Sequence, residues 1–303
     1  MDCCCAPVIN EIPTGFVRPK LTLNIRKSDC RCGAHIALKS SLYETLSSHP
    51  ELKCMQMYLG GNINYSVKNI TPEDKQLSLK YCIETDTTFY IHCPLIANLA
   101  KEGPCASSVE VVSRELDIVS GLPGACVLHI GKVGTIENVA QKINQIQTSG
   151  HLPRSHFPRV PFHLLLEICA GQGTELGRSW EEIRHLYEAL DYTRVGLCVD
   201  SQHAFASGMS DFQNHESIVK LFDNANNIAP KGISMIHLND STKVFGSQVD
   251  RHAPLRRGHI WYNSDEGLKT LIQRSKDYGL DLISETSDPL TDVQIAKEYM
   301  STM

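Results

Sequence analysis

Nine side chains able to ligate a metal share one feature of placement. His92, His129, Glu167, Asp200, His237 and Glu285 each stand at or near the carboxyl end of a short apolar run, and His203, Asp250 and His252 lie in segments that follow such runs. Five imidazoles and four carboxylates exceed the about four ligands that one zinc takes. They suit two or three divalent ions with some carboxylates bridging, and a donor set without thiolate favours zinc, manganese or iron. Such a cluster lowers the pKa of bound water toward about 7 and can clamp both the attacking and the leaving oxygen of a phosphodiester, so hydrolytic phosphoryl chemistry is the leading class. Taken alone, Asp200 reads equally well as a helix N-cap. That reading does not extend to six consecutive strands, each ending in a ligand type.

The elements that must position these residues follow from the hydrophobic rhythm. Apolar runs rich in Val, Ile, Leu and Cys predict strands over 32–37, 52–59, 88–92, 125–130, 162–168, 194–200, 232–238 and 280–285, alternating with longer amphipathic segments as βα units do. Thr71-Pro72-Glu73-Asp74 supplies an N-cap, a proline at the first helical position and early acidic residues. Ser179-Trp180-Glu181-Glu182 supplies a capping-box pattern. Eight repeats predict an α/β fold, a (β/α)8 TIM barrel over 31–303, in which the carboxyl ends of all strands meet on one face. A doubly wound open sheet is the second choice, but GAHIALKSSL lacks the glycine-rich phosphate turn it would need. Residues 1–30, with Pro7, Pro13 and Pro19, read as an irregular N-terminal extension. The polar connection 239–263, with no evident helix, reads as a functional segment.

With 42% apolar and 21% charged residues the composition is that of a globular protein. No stretch approaches the ~18 apolar residues of a membrane span, and MDCCCAPVINEIP lacks the regions of a signal peptide. Twelve scattered cysteines then fit a reducing compartment, so an intracellular protein of cytoplasm or nucleus, not a secreted one, is expected. Cys30 and Cys32, with Cys3–Cys5, could form a metal or disulfide site, although their spacing is not that of a zinc knuckle. The other eight histidines, His35, His49, His151, His156, His163, His185, His215 and His259, read as surface or hydrogen-bonded core residues.

Three segments carry a family resemblance. LEICAGQGTELG around Glu167, GLCVDSQHAFASG around Asp200 and His203, and HLNDSTKVFGSQVDRHAPLRRGHI around His237, Asp250 and His252 resemble the signatures of the endonuclease IV family of abasic-site endonucleases. The similarity spans roughly 32–290, with all nine ligands in order. It implies a TIM barrel holding three zinc ions, with manganese acceptable at one site. It implies a monomer that cuts double-stranded DNA 5′ to abasic sites, leaving a 3′-hydroxyl and a 5′-deoxyribose phosphate, and that trims blocked 3′ ends. By family pattern His92, His129 and Glu167 hold one metal, Glu167 bridges to a second held by Asp200, His237 and Glu285, and His203, Asp250 and His252 hold the third. The nucleophile is then a bridging hydroxide, with Glu167 and Glu285 as the catalytic carboxylates and Glu285 orienting it.

The chain departs from the family where the duplex is probed. Ile63, with Tyr65 nearby, stands in LGGNINY where bacterial members carry an arginine, and Leu95-Ile96 replaces a Tyr-Leu pair. Apolar wedges can unstack a base step. Arg256-Arg257-Gly258 replaces a glycine-rich turn and, with Lys243 and Arg251, predicts a cationic stripe for phosphate contacts.

Two other readings stay open. A sugar isomerase or epimerase on the same barrel also places Glu, Asp and His at strand ends, but needs only one or two metals. A metal-stabilised DNA-binding protein without catalysis would bind abasic DNA and not nick it. With 29 Lys+Arg against 34 Asp+Glu, the net charge of −5 argues against general affinity for nucleic acid. Three divalent ions would bring it to about +1, concentrated at the metal face.

Overall fold

The computed structural model describes residues 30–191 and 194–302. Cys3–Cys5 and the expected extension up to residue 29 therefore lie outside the described residues.

Eight parallel strands close a barrel. They are β1 (Arg31–His35), β2 (Cys54–Met57), β3 (Thr88–His92), β4 (Gly124–His129), β5 (Leu164–Glu167), β6 (Val195–Asp200), β7 (Ile233–His237) and, after a short antiparallel hairpin of β8 (Asp240–Ser241) and β9 (His252–Ala253), β10 (Asp281–Ser284). The barrel strands follow one another in chain order, and β10 closes against β1 with Arg31 opposite Asp281 and Ala34 opposite Ser284. The predicted TIM barrel is therefore the observed architecture. The strands sit within a few residues of their expected places; β5, for example, starts at Leu164 rather than 162.

Outside the sheet lie α1 (Leu42–Ser47), α2 (Pro72–Thr85), α3 (Ala106–Val119), α4 (Ile136–Thr148), α5 (Trp180–Ala189), α6 (Ser201–Ser207), α7 (His215–Ile228), α8 (Glu266–Tyr278) and α9 (Pro289–Thr302). Local chemistry starts several of them. The Thr71 hydroxyl accepts the Asp74 N–H, with Pro72 in the first turn, and Ser179 accepts the Glu182 N–H. The Glu182 carboxylate takes the N–H groups of Gly177 and Arg178, one step outside the reciprocal capping box that the sequence suggests. None of these helices is long and apolar enough to cross a membrane.

Alternation along each strand divides the core into two layers. Phe89, Ile91, Cys126, Leu166 and Val199 pack outward against the helices, whereas Cys54, Tyr90, Val127, Leu165, Cys198, Met235 and Ile283 fill the barrel interior. The residue two positions beyond each interior residue must also point inward, at the carboxyl-terminal mouth. For β3 to β7 and β10 those residues are His92, His129, Glu167, Asp200, His237 and Glu285. The helices' apolar stripes thus set the strand faces, and the strand faces aim the ligand-type side chains.

The connection 239–263 contains no helix, as expected, but it is not irregular throughout. The β8–β9 hairpin pairs Asp240 with Ala253 and Ser241 with His252. The buried Asp240 carboxylate accepts N–H groups from Ser241, Gly258 and Ile260 and so folds the following turn back over the hairpin. Gly258 is required there, because a Cβ would sit 2.3 Å from the Ser241 carbonyl oxygen.

Candidate metal centre

Glu167, completely buried at the end of β5, is the hub of the mouth. Its Oε2 lies 3.3 Å from His92 Nε2 and 3.2 Å from His129 Nε2, and its Oε1 lies 2.9 Å from His237 Nδ1. His237 Nδ1 is also 3.0 Å from Glu285 Oε2 and 3.8 Å from Asp200 Oδ2. Asp200 Oδ2 is 3.5 Å from His252 Nε2, and Asp250 Oδ1 is 3.4 Å from both His203 Nε2 and His252 Nε2. All nine sequence-predicted ligands converge, although they are spread from His92 to Glu285 along the chain.

Among the described residues, three overlapping groups have one ligand atom from each member within 4.8 Å of the others: His92, His129 and Glu167; Glu167, Asp200, His237 and Glu285; and Asp200, His203 and His252. The third differs from the family pattern. Asp200 takes part in it, and Asp250 stands beside the two histidines rather than within the tight set. Asp200 also satisfies the bland reading, since its Oδ1 caps α6 by accepting the His203 N–H at 3.0 Å. One carboxylate oxygen starts the helix while the other faces the cluster.

The electrostatics fit a cation. Burial opposes charge on His203 and on His237, yet the carboxylates around them, with the Cys198 thiol beside His237, hold both imidazoles well above their usual pKa. Burial would likewise raise Glu167 and Glu285, but the neighbouring histidines outweigh it and keep both ionised. Protonated imidazoles thus balance the carboxylates in the bare chain, and a divalent ion would take over that role and release protons. Glu167 Oε2, His203 Nε2 and His252 Nε2 are buried inside the cluster and make no hydrogen bond. Atoms of that kind carry a desolvation penalty unless a ligand satisfies them. Histidine and carboxylate donors without thiolate suit zinc or manganese.

Four further residues belong to this site and escaped sequence reading. His35, read from sequence as an ordinary surface or core histidine, ends β1 with its Nδ1 3.5 Å from Glu285 Oε1. Gln56, fully buried on β2, contacts both Glu285 and His237. Asn239 donates to Asp200 Oδ2 at 2.7 Å and accepts the Glu285 N–H at 2.9 Å. Gln172 accepts the Asp250 N–H at 3.2 Å, so the GQG turn is tied to the segment that carries Asp250. The rule of two that locates His92 also locates His35 and Gln56, counted from Gly33 and Cys54. Neither stands out in the sequence, because the first two strands carry no carboxylate.

The residues expected to meet the duplex rim the mouth. Leu95 N–H donates to the Asn62 carbonyl, and Tyr65 Oη donates to the Ile96 carbonyl, so the loops after β2 and β3 are tied together. From that joined pair Ile63 projects at 70% exposure and Leu95 at 40%, while Ile96 is half-buried. Lys243 and Arg251 are exposed. Arg256 Nε sits 3.0 Å from Asp265 and Arg257 Nη1 3.8 Å from Asp288, so carboxylates already partner both arginines of the expected stripe. Among the described residues, Cys30 and Cys32 are buried free thiols and join none of the metal-capable groups; Cys3–Cys5 lie outside those residues.

Comparison with known proteins agrees with this geometry. Residues 50–300 match the profile of the xylose isomerase-like TIM-barrel family. A probable endonuclease 4 from Symbiobacterium thermophilum is 29% identical over 265 residues, 84% of this chain and 92% of that protein. The crystal structure of endonuclease IV from Thermus thermophilus superposes with a TM-score of 0.76 at 22% identity, covering 90% of this chain and all of that one. A D-tagatose 3-epimerase-like protein shares the fold at a TM-score of 0.62 and 18% identity, over 90% of this chain and 97% of that one. The chain belongs to the xylose isomerase-like TIM-barrel family.

Proposed function

We propose that this protein is a metal-dependent abasic-site endonuclease that hydrolyses the phosphodiester 5′ to the lesion in double-stranded DNA, leaving a 3′-hydroxyl and a 5′-deoxyribose phosphate. Trimming of blocked 3′ ends would use the same cluster. The observation that carries the reading is the set of three overlapping metal-capable groups sharing Glu167 and Asp200. A sugar isomerase or epimerase, with one or two metals, has no use for His203, Asp250 and His252.

The nine residues would hold three zinc ions, one of them replaceable by manganese, which would acidify water and polarise the scissile phosphate when bound. The chain's own groups do the rest. Glu167 offers its two oxygens to opposite sides, one toward His92 and His129 and one toward His237. Glu285 is held by the Asn239 and Gln56 side chains and stays ionised, placed to orient an attacking water. Ile63 and Leu95, presented together, supply apolar surface for an opened base step.

The decisive experiment incubates the zinc-loaded protein with a duplex carrying one abasic analogue, in parallel with protein subjected to prolonged chelation, and counts zinc per chain. Nicking with about three zinc per chain is expected, and it should be lost on chelation. A single zinc, or no nicking by the loaded protein, overturns the proposal, and tight binding without nicking points to a non-catalytic DNA-binding role.

A further inference from the structure

Two of the histidines at the mouth are aimed by backbone carbonyls. His92 Nδ1 lies 2.7 Å from the Cys93 carbonyl and His203 Nδ1 lies 2.9 Å from the Ile168 carbonyl. A carbonyl only accepts, so Nδ1 carries the proton in each ring and Nε2 is the atom presented to the cluster. His237 is turned the other way. Its Nδ1 faces Glu167, Asp200 and Glu285, and its Nε2 lies 2.8 Å from Oε1 of Gln56, a residue 181 positions earlier on β2.

The contacts of Gln56 admit one assignment. Its Nε2 is 2.5 Å from Glu285 Oε1 and 3.1 Å from His35 Nδ1. A carboxylate cannot donate, so the amide nitrogen must face Glu285 and the amide oxygen must face His237. The His237 Nε2 is then the donor, which leaves Nδ1 as the ring atom able to offer a lone pair to the group formed with Glu167, Asp200 and Glu285. Gln56 is fully buried and has no exit to water. The same amide grips two members of one metal-capable group.

We infer that Gln56 is a positioning residue: it sets the nitrogen with which His237 ligates and anchors Glu285 beside it, so that the Glu167–Asp200–His237–Glu285 group is ready for a divalent ion. This rests on the proposed metal-dependent function and specifies how one of its sites is built. Partners that orient a ligating histidine change metal affinity by about 10–100-fold when removed.

The test uses the full-length protein, histidine-labelled with 15N and loaded with zinc. In the parent, His237 is expected to show a protonated Nε2 and a bare, metal-shifted Nδ1. Q56E keeps an acceptor for His237 Nε2–H and should keep that signature. Q56M, of similar volume without hydrogen bonds, should lose it, and competition against a chromophoric chelator should show the affinity of one of the three ions lowered by about 10–100-fold with the other two unchanged. If Q56M keeps both the Nε2–H resonance and the parent affinity, or if Q56E loses the resonance although it offers an acceptor, the inference is wrong while the nuclease reading stands. A parent chain that takes up no zinc overturns both. Should Q56M fail to fold, Q56L, which also removes the acceptor, takes its place with the same two readouts.

Discussion

At the amino-terminal end of the barrel Arg31 and Asp281 are buried, and at the carboxyl-terminal mouth Glu167, Asp200 and His237 are buried as deeply. The lower pair is complete. Arg31 Nε and Nη2 each donate to Asp281 at 2.9 Å, Nη2 also donates to Thr88 Oγ1 at 2.7 Å, and Tyr90 Oη donates to Asp281 Oδ2 at 2.9 Å. Asp281 thus has each oxygen engaged, and the pair joins β1 to β10 where the barrel closes. The mouth instead keeps three buried atoms without a hydrogen bond and holds histidines close to carboxylates at 2.9–3.8 Å. The fully partnered pair holds the fold together, whereas the open, clustered atoms of the mouth suit a bound cation. Strand β3 links the two regions, carrying Thr88 below, Tyr90 in the middle and His92 above.

The contrast predicts that substitutions at the two ends fail in different ways. The largest effect belongs to Glu167→Gln, which should lower nicking of an abasic duplex at least about a thousandfold while circular dichroism shows the metal-free chain still folded. Activity above a few per cent of parent would remove Glu167 from its central place. Asp281→Ala should do the converse. It leaves the buried Arg31 guanidinium with only the exposed Asp86 carboxylate, 3.7 Å from Nη1, at a cost of about 3 kcal/mol in urea unfolding, while the fraction that remains folded binds zinc as the parent does. Equal stability would show that water reaches Arg31 and that the lower end is not sealed.

Glu115 sharpens the comparison as a buried titratable group with no role at either end. Burial pushes its carboxyl up to about 8, and its Oε2 makes no hydrogen bond. Because the folded chain holds that proton more tightly than the unfolded one, the stabilisation is complete below the ordinary carboxyl pKa and is lost as pH rises toward about 8. Glu115→Gln should therefore be more stable than parent at pH 8, by up to about 4 kcal/mol, and no more stable at pH 4. A gain independent of pH would assign the effect to packing. The smallest effect is expected at the rim. Arg256→Ala with Arg257→Ala should weaken binding to all DNA sequences and flatten the salt dependence by at most about two phosphate contacts, less if Asp265 and Asp288 retain the two arginines. An unchanged slope of log K against log salt would rule out phosphate contacts there.

Much of this centre was legible in the sequence, for a simple reason. A ligand residue at the end of a strand announces itself by the apolar run before it, and six such runs in succession imply one mouth. His35 and Gln56 obey the same periodicity and still escape notice. A histidine with no carboxylate nearby in sequence resembles any other, and a glutamine in LKCMQMYL carries no chemical mark until Glu285 and His237 are brought against it. The Arg256–Arg257 pair was visible as charge, but its carboxylate partners, Asp265 and Asp288, stand further along the chain, where only the folded loops bring them close.

The sequence by itself determined the strand order, the inward direction of each strand-end residue and which nine side chains are candidates to ligate a metal, because alternation along a strand and the parallel βα rhythm are local properties of the chain. Only the tertiary structure decided how those ligands divide. It turned His237 toward the carboxylates through Nδ1, set Asp200 to serve both α6 and the cluster, tied the Ile63 and Leu95 loops together, and sealed the opposite end with Arg31 and Asp281. Each of these depends on hydrogen bonds between residues that folding brings together, and their partners are chosen by where barrel closure places them.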